Sequence, residues 1–187
     1  MRPRVGLLLA GLLLLSGSAA CGGKGANGPG KEYPAYTGRA VDLFDDGIDP
    51  IAVGYQLEPG PAPSTDAKLR ERVQTGDAVV RARVVTVTSK KEDNGRSWQL
   101  GLHMLERLAG TGPVDPDFAL DVESTDPGAG MVKAFEGTLV GATFVVSMRT
   151  FAHAGSPGDS DLHFHLSADK ADVLAAVKEA TLLQQVK

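Results

Sequence analysis

The stretch DAVVRARVVTVTS, residues 77–89, decides the fold class. Ala78, Val80, Ala82 and Val84 alternate with Arg81 and Arg83, so its first half reads as a strand with one apolar face. Then the phase flips: Val85 and Val87 are apolar, Thr86 and Thr88 polar. A regular strand cannot keep both sets on one side. Either it runs between two layers, or a bulge at Val84–Val85 resets its face. A long first strand that bends mid-length is what a small closed barrel needs at a corner.

Downstream, Asn94-Gly95 is a hairpin signal. It leads to a second strand over 97–107, with Trp98, Leu100, Leu102 and Met104 inward and Gln99 and His103 outward. A third strand, 118–124, places Phe118, Leu120 and Val122 inward and Asp121 and Glu123 outward. Residues 131–135 suit one helical turn. The fourth strand, 142–151, turns Phe144, Val146 and Met148 inward, and the fifth, 161–166, does so with Leu162, Phe164 and Leu166. Val173, Leu174 and Val177 have helical spacing, predicting an amphipathic helix over 169–184 capped by Ser167 or Asp169.

Five strands, a bent first one, a short helix between the third and fourth and a closing helix resemble the OB-fold in element order, above all its exported netrin-like or inhibitor-type versions. The resemblance covers roughly 77–166. It implies a five-stranded antiparallel barrel, with the C-terminal helix packed on it, and a third strand between the second and fifth. The netrin-like families carry disulfides, and this chain has one cysteine. An antiparallel β-sandwich is the alternative architecture.

Upstream of the barrel, 35–76 reads as an irregular extension with a short strand near 52–57, laid against the core. A short helix follows Ser64 or Thr65 as cap and ends at Gly76. Asp42, Asp45, Asp46 and Asp49 surround Gly47. An EF-hand needs oxygen ligands at alternate positions and a glutamate six residues after the glycine. Phe44 and Val53 stand there, so the segment reads as a solvated acidic turn.

At the N-terminus, Arg2 and Arg4 precede an apolar run from Val5 to Leu15, shorter than the roughly 20 residues of a spanning helix. Ser16 to Ala20 are small, and Cys21, the only cysteine, follows. This junction resembles the lipobox of bacterial lipoproteins, with Ser18 where leucine is usual. The resemblance implies a signal peptide over 1–20, cleavage after Ala20 and acylation of Cys21 with palmitate-type chains. An ordinary secretory signal cleaved at the same place is the other reading. The downstream chain also looks like an uncharacterised class of envelope lipoproteins, which supplies no activity. Residues 21–34, Gly-rich and polar, read as a tether. Several acyl chains on one cysteine hold a membrane firmly. Gly22 lacks the acidic residue associated with inner-membrane retention, so the expected location is the outer membrane, facing the periplasm.

The chain carries 19 Lys+Arg against 23 Asp+Glu, net −4, and loss of Arg2 and Arg4 with a leader makes it more acidic. That disfavours nucleic acid as a partner. No nucleophile elbow, phosphate-cradling glycine loop or His-Glu-x-x-His occurs. One constellation remains. His163 and His165, two apart on a strand, share a face about 7 Å apart. If the third strand lies beside the fifth, His103, Asp121, Glu123, His163 and His165 fall on one outer stripe. That set suits zinc or copper, and His153 could join it. Water-facing histidines are the plainer reading. The expectation is a lipid-anchored, non-catalytic binding module for an envelope protein or small ligand. The alternative is a metal-binding protein using the histidine face.

Overall fold

In the computed structural model, residues 32–55, 60–93, 95–156 and 158–185 are described. Ala20, Cys21, most of the tether and Asn94 lie outside them.

The strand opened by Ala78 is the spine of a six-stranded sheet. The strands are β1 (Gly47–Ile48), β2 (Ala78–Glu92), β3 (Gly95–Ala109), β4 (Asp117–Val122), β5 (Thr143–Ala152) and β6 (Ser160–Ala168). Their order is β1-β6-β5-β2-β3-β4. All pairs are antiparallel except β1–β6.

The expected bulge is present. Val84 pairs with Leu102 and Thr86 with Gly101, leaving Val85 as the extra residue, 46% exposed. Before it Ala82 and Val84 face the core, and after it Val87 does. Gly101 is required there, because a Cβ would collide with Thr86 Oγ1. The hairpin closes with Glu92 opposite Gly95, one residue earlier than an Asn94-Gly95 turn would place it.

The sheet does not close into a barrel. β4 bonds only to β3 and stands at one edge. The third expected strand therefore does not lie between the second and fifth. β6 cannot receive it, because its second edge is taken by β1, with Gly47 opposite His165 and Ile48 opposite Leu166. Parallel pairing within a two-residue strand gives a mixed sheet in place of the all-antiparallel one.

Among the described residues there are four helices: α1 (Arg39–Leu43), α2 (Ala67–Thr75), α3 (Ala129–Leu139) and α4 (Ala171–Gln185). On one face Val80, Leu100, Leu120, Phe144, Phe164 and Leu166 pack with Val132 and Leu139 of α3. On the other, Val79 and Val145 pack with Leu69 and Val73 of α2 and Val173 and Val177 of α4. Near β6, Leu43 and Phe44 meet Phe151, with Tyr36 against them.

Residues 35–76 fall within the same compact unit as the sheet. At the start of the strand expected over 52–57, Ala52 and Val53 end a 3-10 turn, Pro50–Val53, started by a proline at its first position, and residues 56–57 lie outside the described residues. A second 3-10 turn spans Pro63–Thr65. The cap of α2 is Asp66, one residue beyond the Ser64/Thr65 expectation, accepting from Lys68 N at 2.8 Å and Leu69 N at 3.3 Å. Single-turn helicity at 131–135 extends to the whole of α3. Leu162, expected inward, is 44% exposed. α4 starts at Ala171, two residues past Asp169, which receives Arg81 in a two-point pair, Nε and one terminal nitrogen each at 2.8 Å.

Candidate functional site

β6 presents Phe164 and Leu166 to the main core, so His163, His165 and Ser167 share the opposite face. The expected pairing of the two imidazoles on one face holds, but water is not what they meet. His165 is 6% exposed. What covers them is the acidic turn around β1. Asp46 N donates to Phe164 O at 2.9 Å and Asp49 N to Leu166 O at 2.8 Å, fixing the turn along the strand. The expectation of a solvated turn fails for a physical reason: its carboxylates have histidine partners more than a hundred residues away in sequence.

Asp46 has φ 50, a left-handed conformation that aspartate tolerates better than most residues. There its Oδ2 accepts from His163 Nδ1 at 2.6 Å and its Oδ1 from Phe164 N at 3.0 Å. Gly128 N donates to Asp46 O at 3.1 Å, and a Cβ at Gly128 would strike that oxygen. The Asp126 turn is thereby held against Asp46. Burial and the neighbouring Asp46 carboxylate push the Asp126 carboxyl above its ordinary range.

His165 lies between two carboxylates. Its Nδ1 is 2.7 Å from Asp45 Oδ1 and its Nε2 is 3.2 Å from Asp49 Oδ1. Ionised carboxylates only accept, so both contacts are hydrogen bonds only when both ring nitrogens carry protons. Burial works against that charge, but the bonds to Asp45 and Asp49 outweigh it and hold the imidazole above its ordinary 6.5. Burial likewise pushes Asp45 and Asp49 up, and the bonds to His165 bring both below 3.8. Arg72 of α2 is the second cation: it is 5% exposed, and its Nε donates to Leu43 O at 2.6 Å. Burial lowers its pKa against the pull of Asp49 and Asp45. Guanidinium is too basic to lose its proton on that account.

Tyr36 closes the cluster. Its ring stacks on His163 with centroids 3.5 Å apart, and Phe151 meets the same imidazole edge-on at 5.7 Å. The phenol donates to Phe44 O at 2.6 Å. Burial first, then Asp46, Asp45 and Asp126, push its pKa up to about 12, so it remains a donor.

The five residues expected on one stripe are not brought together. His103 is on β3, with Nδ1 2.7 Å from Asp117. Asp121, on β4, accepts from Gln99 Nε2 at 2.8 Å, and the Glu123 N–H donates to Asp126 at 2.7 Å. β2 and β5 stand between β3 and the histidines of β6. His153 pairs with Asp161 at 2.7 Å. All four histidines of the chain thus hold Nδ1 against an aspartate. Among the described residues, no group of three or more His, Cys, Asp or Glu is arranged to hold a metal ion. With both nitrogens engaged, His165 has no lone pair to offer a metal or a substrate proton.

A cleft of about 900 Å³ opens beside the cluster, between the two 3-10 turns and the start of α4. Asp49 stands on the border between cluster and cleft. Ile51, Tyr55 and Leu69 give the cleft apolar walls, and Lys170 and Ser167 give it polar ones. Its size is that of a small-molecule site. Sequence reasoning missed both Asp49's role and the cleft, since two proline-led turns with no periodicity build the wall. No family model matches the chain, and no curated protein matches it closely enough to suggest a role.

Proposed function

We propose that the chain is exported, acylated at Cys21 and held at the outer membrane, facing the periplasm. There the β-rich body acts as a non-catalytic binding module for a small ligand or an envelope protein. The anchor rests on the lone cysteine placed after an apolar run and five small residues. The binding role rests on one observation, the cleft bounded by Asp49, Ile51 and Lys170. The non-catalytic reading rests on His165, the most buried imidazole of the cluster, which is engaged at both nitrogens.

Growth of cells expressing the full chain with an alkyne-bearing palmitate tests the anchor. Wild type takes up label and partitions into detergent; Cys21→Ser does neither. An unlabelled wild-type protein in the aqueous phase ends the anchored reading. For the cleft, a thermal-shift screen of small amphipathic compounds should yield binders that raise the melting temperature of wild type and not of Ile51→Arg. Equal shifts in both proteins would move the binding site elsewhere.

A further inference from the structure

We infer that the segment from Asp45 to Val53 is held on β6 by a proton-operated clamp: loss of the His165 proton opens the Asp49 contact and frees the turn Pro50–Val53, the wall of the cleft. The argument is one of proton count. A neutral imidazole has one N–H, and here each nitrogen faces a carboxylate oxygen. Once the ring is neutral, one of the two contacts becomes a lone pair against an anion. With His165 only 6% exposed, the ring cannot turn to water to relieve that opposition, so the carboxylate must.

The charges around the ring balance only in the protonated state. Asp45 and Asp49 face it from either side of β1, Arg72 faces it from α2, and Ser167 hydrogen-bonds Asp49 from β6 itself. Two cations meet two anions when the imidazole is charged, and one cation meets two anions when it is not. The weaker contact identifies which carboxylate leaves. Asp45 is bonded at 2.7 Å, is 30% exposed, and also accepts from Gly47 N at 3.2 Å. Asp49 is bonded at 3.2 Å and is already 43% exposed, so it can turn to water. The 3-10 turn follows Asp49, since Ala52 N donates to Asp49 O at 2.8 Å and Pro50 comes next, and its release also opens the bond from Asp49 N to Leu166 O at 2.8 Å that fixes the turn along β6. The neighbouring pair, His163 with Asp46, is stacked under Tyr36 and held by the Asp126 turn, and it remains as the hinge.

NMR of the soluble body of the protein, residues 22–187, followed from pH 5 to pH 10, tests the clamp, with the full acylated chain in detergent micelles as the reference for native behaviour. Amide protection factors at Asp49 and Ala52 are measured beside those at Val80 and Val146 in the sheet. In wild type, protection at Asp49 and Ala52 should fall about tenfold relative to the sheet, with the midpoint of the His165 ring resonances. Asp49→Asn keeps a partner in both states, because its amide accepts from the charged ring and donates to the neutral one. Its protection at Ala52 should stay within about twofold across the range. Unchanged protection in wild type while the His165 ring titrates, an equal loss in Asp49→Asn, or a midpoint away from that of His165 overturns the clamp.

Discussion

Two pairs of histidines in this chain make the same bond in different surroundings. His103 with Asp117 and His153 with Asp161 are each 2.7 Å apart, with imidazoles about half exposed. His163 with Asp46 and His165 with Asp45 are 2.6 and 2.7 Å apart, and their imidazoles are 19% and 8% exposed. Distance does not distinguish the sets. Access to water does: water screens the outer pairs and competes for their donors, and burial restricts it at the inner ones. The outer pairs decorate a sheet. The inner pairs join the segment around β1 to β6, and so complete the sheet edge that a barrel would have closed with β4.

The largest break in that comparison is His165→Ala. It leaves Asp45 and Asp49 facing each other with Arg72 as their one remaining cation, and should cost about 3 kcal/mol in chemical denaturation. The same group gives the inner set its pH dependence. Because the His165 pKa is raised, its contribution is complete below 6.5 and is lost as pH rises through the raised value. Because Asp45 and Asp49 are lowered, theirs is complete above 3.8 and is lost as pH falls through the lowered values. Denaturation midpoints should therefore peak between pH 3.8 and 6.5 in wild type. His165→Ala should flatten the alkaline side of that peak.

Asp46→Ala comes next. It orphans the buried Phe164 N–H and the His163 ring together, and its left-handed backbone suits alanine poorly, so the expected loss is about 2 kcal/mol. Tyr36→Phe removes one bond to Phe44 O while keeping the stack on His163, a loss of about 1 kcal/mol. The smallest effect belongs to the outer set: His103→Ala and His153→Ala should each change stability by less than about 0.5 kcal/mol. A loss at either outer site comparable to that at His165 would erase the distinction between the sets.

The sequence carried the strands better than their closure. Alternation at Ala78–Val84 and the phase flip at Val85 announced β2 and its bulge, because a residue added to a strand moves every later side chain to the other face. The same alternation put His163 and His165 on one face. It could not say what covers that face, since a period of two is the same against water or protein. The covering segment was illegible for a related reason. β1 is two residues long, below any period, and it takes the edge of β6 that element order alone offered to β4. Asp45, Asp46 and Asp49 read as a polar turn because acidic residues without local partners usually are one. Their partners lie across the sheet, at a separation no window of sequence spans. The leader we propose, by contrast, rests on a local pattern: charge, apolar run, small residues and cysteine follow one another within 21 residues.

The proton on His165 is the point on which the clamp, the pH window and the difference between inner and outer pairs all rest. A long-range nitrogen–proton correlation spectrum of the imidazoles at pH 6, with His165 assigned by loss of its peaks in His165→Gln, reads that proton directly. The prediction is a ring with both nitrogens protonated, Nδ1 and Nε2 sharing the shift of an imidazolium. A ring with one bare nitrogen at that pH would contradict it.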